Sequence, residues 1–128
     1  MKTLFIGYVA ALGTLAVLDA LWLGVVSREF YKARLGHLLL DQPNWPVVIL
    51  FYFIHAAGIV VFAVPPATSW LSAALYGALF GLVVYAAYDL TNLATLRGWP
   101  MAVSLVDLAW GAAVSAIACV AAYLATRS

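Results

Sequence analysis

Three aspartates, Asp19, Asp89 and Asp107, lie inside stretches of this 128-residue chain that are otherwise apolar. An acid at the centre of a membrane-spanning helix costs at least about 2.5 to 3.5 kcal/mol, so such residues usually face the bundle interior and carry function. Carboxyl groups held away from water suit general acid–base chemistry. The three aspartates are therefore our candidate catalytic residues, and Asp89 is the first choice because Thr91 and Asn92 follow it.

The aspartates and one histidine are predicted to lie at a single depth. At about 1.5 Å per residue, Asp19 and Asp89 lie roughly 10 Å before their apolar stretches end, while Asp107 and His55 lie roughly 9 and 12 Å after theirs begin. Successive helices alternate in direction, so these positions meet in one polar layer. Hydroxyl, amide and indole groups complete the predicted site, with substrate-binding residues His55, Asn92, Thr91, Tyr85, Tyr88, Tyr52, Trp22 and Trp110.

One pattern occurs twice in this layer, as Asp19-x-x-Trp22 and as Asp107-x-x-Trp110. A gap of three residues puts the carboxylate and the indole on one helix face. The indole N–H could donate to a neighbouring acid, and the ring could form the wall of a pocket. A structural role remains the alternative, with the acids joining helices through hydrogen bonds and His55 serving as a core residue.

The elements that must hold these residues are membrane-spanning helices. Hydrophobic residues make up 67% of the chain and charged residues only 9%, whereas soluble domains carry about 25% charged residues. Four stretches approach the roughly 20 residues that cross a bilayer core. The sequence predicts an all-α membrane protein, a four-helix transmembrane bundle forming a single domain over residues 1–128, with spans at about 4–26, 47–64, 72–96 and 101–126.

Prolines and tryptophans mark the predicted helix ends. Trp45-Pro46 and Trp99-Pro100 read as starts of the second and fourth spans, since proline is tolerated at a first helical position and tryptophan prefers the membrane interface. The prolines Pro65-Pro66 end the second span. Between the first two spans, the polar segment 27–41 carries apolar residues at helical spacing. This spacing predicts a short interfacial amphipathic helix, with a plain connecting loop as the alternative.

Glycine spacing and charge indicate how the helices pack and face. Gly77 and Gly81 have the spacing of close helix packing, so the third and fourth spans are predicted to pack through the faces that carry their acids. Cations are more numerous at the end that follows the first span. By the positive-inside bias this end is cytoplasmic and both termini are non-cytoplasmic. The cations at this end are Arg28, Lys32, Arg34 and Arg97.

Several function classes are excluded. The formal net charge is +1 and no basic run occurs, so nucleic acid is not an expected partner. The single cysteine, Cys119, allows neither an intramolecular disulfide nor a cysteine metal site. No close carboxylate pair for a metal and no second histidine for haem lies inside a span, so we expect no metal and no cofactor.

Four motifs spread over nearly the whole chain: Leu18-Asp19-Ala20-Leu21-Trp22-Leu23-Gly24, Phe30-Tyr31 with Leu35-Gly36-His37, Tyr88-Asp89-Leu90-Thr91-Asn92, and Asp107-Leu108-Ala109-Trp110-Gly111. Together they resemble the small bacterial membrane proteins of the domain-of-unknown-function 2177 family. The resemblance implies a four-helix, multi-pass protein of the bacterial inner membrane. It implies no established activity.

Three functions fit these observations. The leading hypothesis is a site that binds, or chemically modifies by acid–base chemistry, a lipid or other hydrophobic small molecule. The second is a proton-coupled small transporter or transporter subunit, although the spans lack Gly/Pro interruptions. The third is a membrane scaffold or assembly partner. Expected partners are membrane lipids, a hydrophobic small molecule and a second copy in a homodimer; whether the protein is an enzyme stays open.

Overall fold

The computed structural model describes residues 2–127, which contain five helices and no strand. Four helices are long and apolar enough to cross a membrane: α1 (Lys2–Val26), α3 (Trp45–Ala63), α4 (Trp70–Thr95) and α5 (Met101–Ala125). The short helix α2 (Arg28–Leu35) follows α1. The all-α four-helix bundle is therefore confirmed, and the long helices begin and end within two residues of the predicted boundaries.

Local chemistry explains where the helices begin. Helix α4 starts with a reciprocal capping pair, in which the Ser72 N–H donates to Ser69 Oγ at 3.1 Å and the Ser69 N–H donates to Ser72 Oγ at 2.9 Å. Each bond satisfies a backbone donor that would otherwise lack an intrahelical partner. Helix α3 has Pro46 in its first turn, and α5 begins directly after Pro100.

The interfacial segment is helical over a shorter range than its apolar spacing predicts. Helix α2 ends at Leu35, and the Leu38 N–H donates to the Leu35 carbonyl at 2.8 Å in a turn. Leu35 is buried against the bundle, whereas the charged residues Arg28 and Lys32 are exposed. One apolar contact thus anchors an otherwise polar helix beside the end of α1.

Helices α1 and α3 each finish in five π-helical residues, Trp22–Val26 and Ile59–Ala63. Neither π-helical segment was predicted from the sequence. In α1 the wider turn is closed by buried Ser27, whose N–H and hydroxyl both donate to the Trp22 carbonyl, at 2.8 and 2.7 Å. Turns of π-helix frequently occur at functional sites. Trp22, one of the predicted site residues, is the first residue of such a turn.

The tightest packing joins α4 to α5. A Cβ at Gly77 would lie 2.6 Å from Cys119 Cβ, and one at Gly81 would overlap the Gly111 carbonyl oxygen. The prediction that these two spans pack through Gly77 and Gly81 is confirmed. Helix α5 also packs against α1, which in turn contacts α3.

Small side chains fill the interior while large apolar side chains face outward on all four long helices. This distribution suits a protein surrounded by acyl chains, because small residues allow close helix approach and lipid covers the large ones. Buried alanines of the core include Ala11, Ala56, Ala73, Ala118 and Ala122.

Candidate functional site

A cavity of about 750 Å³ lies at the end of the bundle where α2 packs. Its wall is built from the last part of α1, from α2 and the loop behind it, and from parts of α3, α4 and α5. Ligand pockets in proteins typically measure about 300 to 1,000 Å³, so this space is large enough for a small molecule. Seven of the predicted site residues line it: Asp19, Trp22, Tyr52, Tyr85, Tyr88, Asp107 and Trp110.

Two indoles form the centre of the wall. The rings of Trp22 and Trp110 stack with their centroids 4.4 Å apart and their planes 4° from parallel. One ring comes from α1 and the other from α5, so the stack fixes these two helices relative to each other at the cavity. Each Asp-x-x-Trp pattern thereby contributes one ring to the same stack.

Each indole N–H is linked by hydrogen bonds to the aspartate of the other helix. Trp110 Nε1 donates directly to Asp19 Oδ1 at 2.6 Å. Trp22 Nε1 donates to the Tyr31 hydroxyl at 3.3 Å, and that hydroxyl in turn donates to Asp107 Oδ1. The two motifs are thus cross-connected, directly in one direction and through α2 in the other.

Tyr31 belongs to one of the family motifs but was not among the predicted site residues, because it lies outside the spans and its place in the site depends on how α2 packs. Burial, together with its hydrogen bond to Asp107, raises the pKa of the Tyr31 hydroxyl above its usual range. The phenol therefore stays protonated at neutral pH and keeps its proton for the bond to Asp107. Helix α2 is in this way joined to the acid layer.

Asp19 is almost fully enclosed, with 4% of its surface exposed. Its second oxygen, Oδ2, is buried and has no hydrogen-bond partner among the described residues. The side chains beside the carboxyl group are those of Trp110, Tyr52 and Asp107. An acid that lines a cavity with one unused buried oxygen is suited to hold the donor of a bound molecule.

Asp89 lies behind the cavity wall rather than in it. Its exposed fraction is 0%, and neither carboxyl oxygen has a hydrogen-bond partner within residues 2–127. Its carboxyl group neighbours that of Asp107. The Asp89 backbone is held by Ser104, whose hydroxyl donates to the Asp89 carbonyl at 2.9 Å while accepting from Trp99 Nε1 at 3.0 Å.

Comparison with known proteins gives one match. Residues 4–124 match the family described as Predicted membrane protein (DUF2177). The chain belongs to this family. No curated protein and no solved structure matches it. The resemblance inferred from the sequence motifs is therefore confirmed, and the family description agrees with the four long apolar helices.

In this DUF2177 protein, His55 occupies the packed interior and does not line the cavity. It is 2% exposed, and its Nε2 lies 2.9 Å from Ser115 Oγ of α5. The rings of Phe51, Phe80 and Tyr85 surround it at centroid distances of 5.3, 6.0 and 6.1 Å. These contacts fit a histidine that joins α3 to α5.

Thr91 and Asn92 also stand apart from the cavity wall. Thr91 is exposed, and its hydroxyl donates to the Ala87 carbonyl of its own helix. Asn92 is half-buried. Among the eleven predicted site residues, the four that do not line the cavity are therefore Asp89, His55, Thr91 and Asn92.

The cavity wall also carries cations that were not among the predicted site residues. Arg28 and Lys32 project from α2, and Asp41 lies in the loop behind it; all three are exposed. The charged groups of the wall thus divide into an acidic end, with buried Asp19 and half-buried Asp107, and an exposed rim on α2 and its loop. In the described part of the chain, no group of three or more histidine, cysteine or acidic side chains could hold a metal ion.

Proposed function

We propose that the cavity binds the polar end of a lipid or another hydrophobic small molecule, with Asp19 and Asp107 around that end. The observation that carries the proposal is a cavity of about 750 Å³ that brings these two acids together inside an apolar helix bundle. An acid in such surroundings is functional by default, because burying it otherwise only costs free energy.

The chemistry assigned to the site is general acid–base catalysis, such as isomerisation, hydration or dehydration of an apolar substrate. Asp107 is the group best placed for proton transfer, since it lines the cavity, is half-buried and accepts from Tyr31. Asp89 touches Asp107 from behind and acts through it as a positioning residue. Asp19, held by Trp110, orients the bound molecule.

We further propose that the protein resides in the bacterial inner membrane with the cavity at the cytoplasmic end. The support is the positive-inside bias. Arg28, Lys32, Arg34 and Arg97 are all exposed residues at or beyond the cavity end of the long helices. A membrane-derived molecule would place its acyl chains between the helices and its polar end in the cavity.

Mass spectrometry of lipids extracted from the purified protein tests the binding proposal. A molecule should co-purify at about one equivalent with the natural protein and be lost from Asp107→Asn. The matched control is Glu29→Gln, which removes an exposed carboxylate from α2 outside the cavity and should retain the molecule. Equal retention by both variants, or no bound molecule in any sample, would count against the proposal.

The reaction itself is tested by comparing the lipids of a strain that lacks the protein with those of strains that carry the natural or the Asp107→Asn protein. Acid–base catalysis predicts a species that accumulates both without the protein and with the variant, and that differs from its product by water or by bond position. Identical lipid profiles in all strains would contradict the proposed catalysis and leave only the binding function.

A proton-coupled transporter is the second candidate, and one observation favours it. Asp89 is an enclosed acid without a hydrogen-bond partner among residues 2–127, next to a second acid, as expected of a group that takes up and releases a proton. Flux measurements in proteoliposomes separate the two functions. Only a transporter would move protons together with a solute and lose this movement in Asp89→Asn.

A further inference from the structure

The buried end of the cavity has a carboxyl oxygen that no hydrogen bond from residues 2–127 satisfies. Three donors in the indole network are already used: Trp110 donates to Asp19, Trp22 donates to Tyr31, and Tyr31 donates to Asp107. By contrast, Asp19 Oδ2 is buried and unpartnered among the described side chains. A ligand group that donates hydrogen bonds would satisfy this oxygen, and the Tyr52 and Tyr85 hydroxyls of the cavity wall can accept further bonds from it.

The charged groups of the cavity also favour a ligand group that donates hydrogen bonds. The groups beside the Asp19 carboxyl are Trp110, Tyr52 and Asp107, of which none is a cation. The basic residues of the cavity wall, Arg28 and Lys32, lie at the exposed rim. Two acids on one wall without a cation between them favour a positively charged ligand group, because a buried charge is tolerated mainly when it is paired.

The remaining walls at this end are aromatic. The stacked indoles of Trp22 and Trp110 lie beside the rings of Tyr52 and Tyr85 in the cavity lining. A cation gains about 0.5 to 2 kcal/mol from the face of such a ring, and indole is the most favourable. Tyrosine hydroxyls can also accept a hydrogen bond from a cationic donor.

We infer that the polar end of the bound molecule is an ammonium group, so the cavity takes a long-chain amine or an amine-bearing lipid. The ammonium lies between the Asp19 and Asp107 carboxyl groups, with the Tyr52 hydroxyl also close to Asp19. This inference rests on the proposed function and specifies its ligand class.

Three probes with the same twelve-carbon chain test the inference: dodecylamine, dodecanol and dodecanoate, each added at pH 7 to the purified full-length protein in a neutral maltoside detergent. A primary amine is protonated at this pH. Binding is measured as the rise in unfolding midpoint with probe concentration. Dodecylamine should bind at least tenfold more tightly than either other probe, as expected for a charge-assisted hydrogen bond.

Substitution of the two aspartates tests whether dodecylamine binds at these acids. Asp19→Asn and Asp107→Asn should each weaken dodecylamine binding at least tenfold and leave dodecanol unchanged. Glu29→Gln should bind all three probes as the natural protein does, and it also corrects for effects of the amine on the micelle. If a variant does not fold, the comparison of the three probes on the natural protein still decides.

The outcomes separate the two claims. Equal binding of dodecanol and dodecylamine, or tighter binding of dodecanoate, would overturn the ammonium assignment while leaving a cavity that binds amphiphiles. Absence of binding by all three probes, together with no co-purifying molecule, would overturn the proposed function itself. Selective binding of the amine that both acid variants lose supports both.

Discussion

The middle of the bundle and its α2 end differ in how polar groups are treated. Around Gly77 and Gly81 the helices α4 and α5 touch so closely that no Cβ fits, and the polar side chains there pair with each other, as His55 does with Ser115. At the α2 end the helices enclose about 750 Å³, and Asp19 keeps an unpartnered oxygen.

This difference indicates a division of roles within a short chain. Close packing at the glycines holds α4 against α5. The stacked indoles then fix α1 relative to α5 at the cavity, and the Tyr31 hydrogen bond fixes α2 there. Changes in the packed middle should therefore lower stability and leave binding intact, whereas changes at the cavity should also alter binding. Four substitutions test this contrast.

The largest effect is expected from Gly81→Ala. Its Cβ would overlap the Gly111 carbonyl oxygen and the Ser115 side chain, so α4 and α5 must separate, at a cost of about 3 kcal/mol. The matched control is Gly13→Ala in α1, where a Cβ meets nothing within 4 Å. Denaturation in detergent measures both free energies of unfolding. A stability loss in Gly13→Ala as large as that in Gly81→Ala would contradict the packing account.

The second effect is expected from Trp110→Phe, which removes the donor to Asp19 and leaves that buried carboxyl group without the bond. The cost should be about 2 kcal/mol, against little change in Trp45→Phe, whose indole is exposed. In a double-mutant cycle, Asp19→Asn should cost less in the Trp110→Phe background than alone. Additive losses would show that the bond contributes nothing.

A smaller effect is expected from Ser115→Ala. The change leaves His55 Nε2 without its partner at 2.9 Å and should lower stability by about 1 kcal/mol. Because neither residue lines the cavity, dodecylamine binding should stay within twofold of that of the natural protein. A tenfold loss of binding with unchanged stability would assign His55 to the site instead of the core.

The smallest effect is expected from Tyr31→Phe, at roughly 0.6 kcal/mol, the average of hydrogen bonds between membrane helices. Since the pKa of Tyr31 is raised in the folded protein, its contribution is complete below the unfolded value near pH 10 and is lost as the pH rises above it. Melting temperatures should therefore show a constant gap between the natural and Tyr31→Phe proteins from pH 6 to 9. A gap that changes across this range would contradict the assignment.

Much of the architecture follows from local chemistry. The Trp-Pro pairs and the serine cap mark helix ends that the structure reproduces within two residues, because these signals act over one helical turn. Rise per residue also places Asp19 and Asp107 at one depth, and the cavity contains both. The π-helical ends could not be foreseen in this way: Gly24 and Gly58 lie at them, but the other glycines of the spans lie in regular α-helix.

The direction in which each acid faces depends on contacts between distant segments. Depth arithmetic treats Asp89 like Asp107, yet Asp89 continues the Gly77 and Gly81 stripe and is carried with it into the α5 interface. The cavity itself arises because α2 and its loop cover the helix ends. Spacing within the spans gives no information about that, so Tyr31, Arg28 and Lys32 were not among the predicted residues.

The central claim is that this cavity holds an amphiphile by its polar end. The most direct measurement is an experimental structure of the protein purified with its native lipids. The account predicts elongated non-protein density in the cavity, with a polar atom within about 3.5 Å of the Asp107 carboxyl group. A cavity that contains only ordered water, or that is closed by α2 packing onto Trp22 and Trp110, would contradict it.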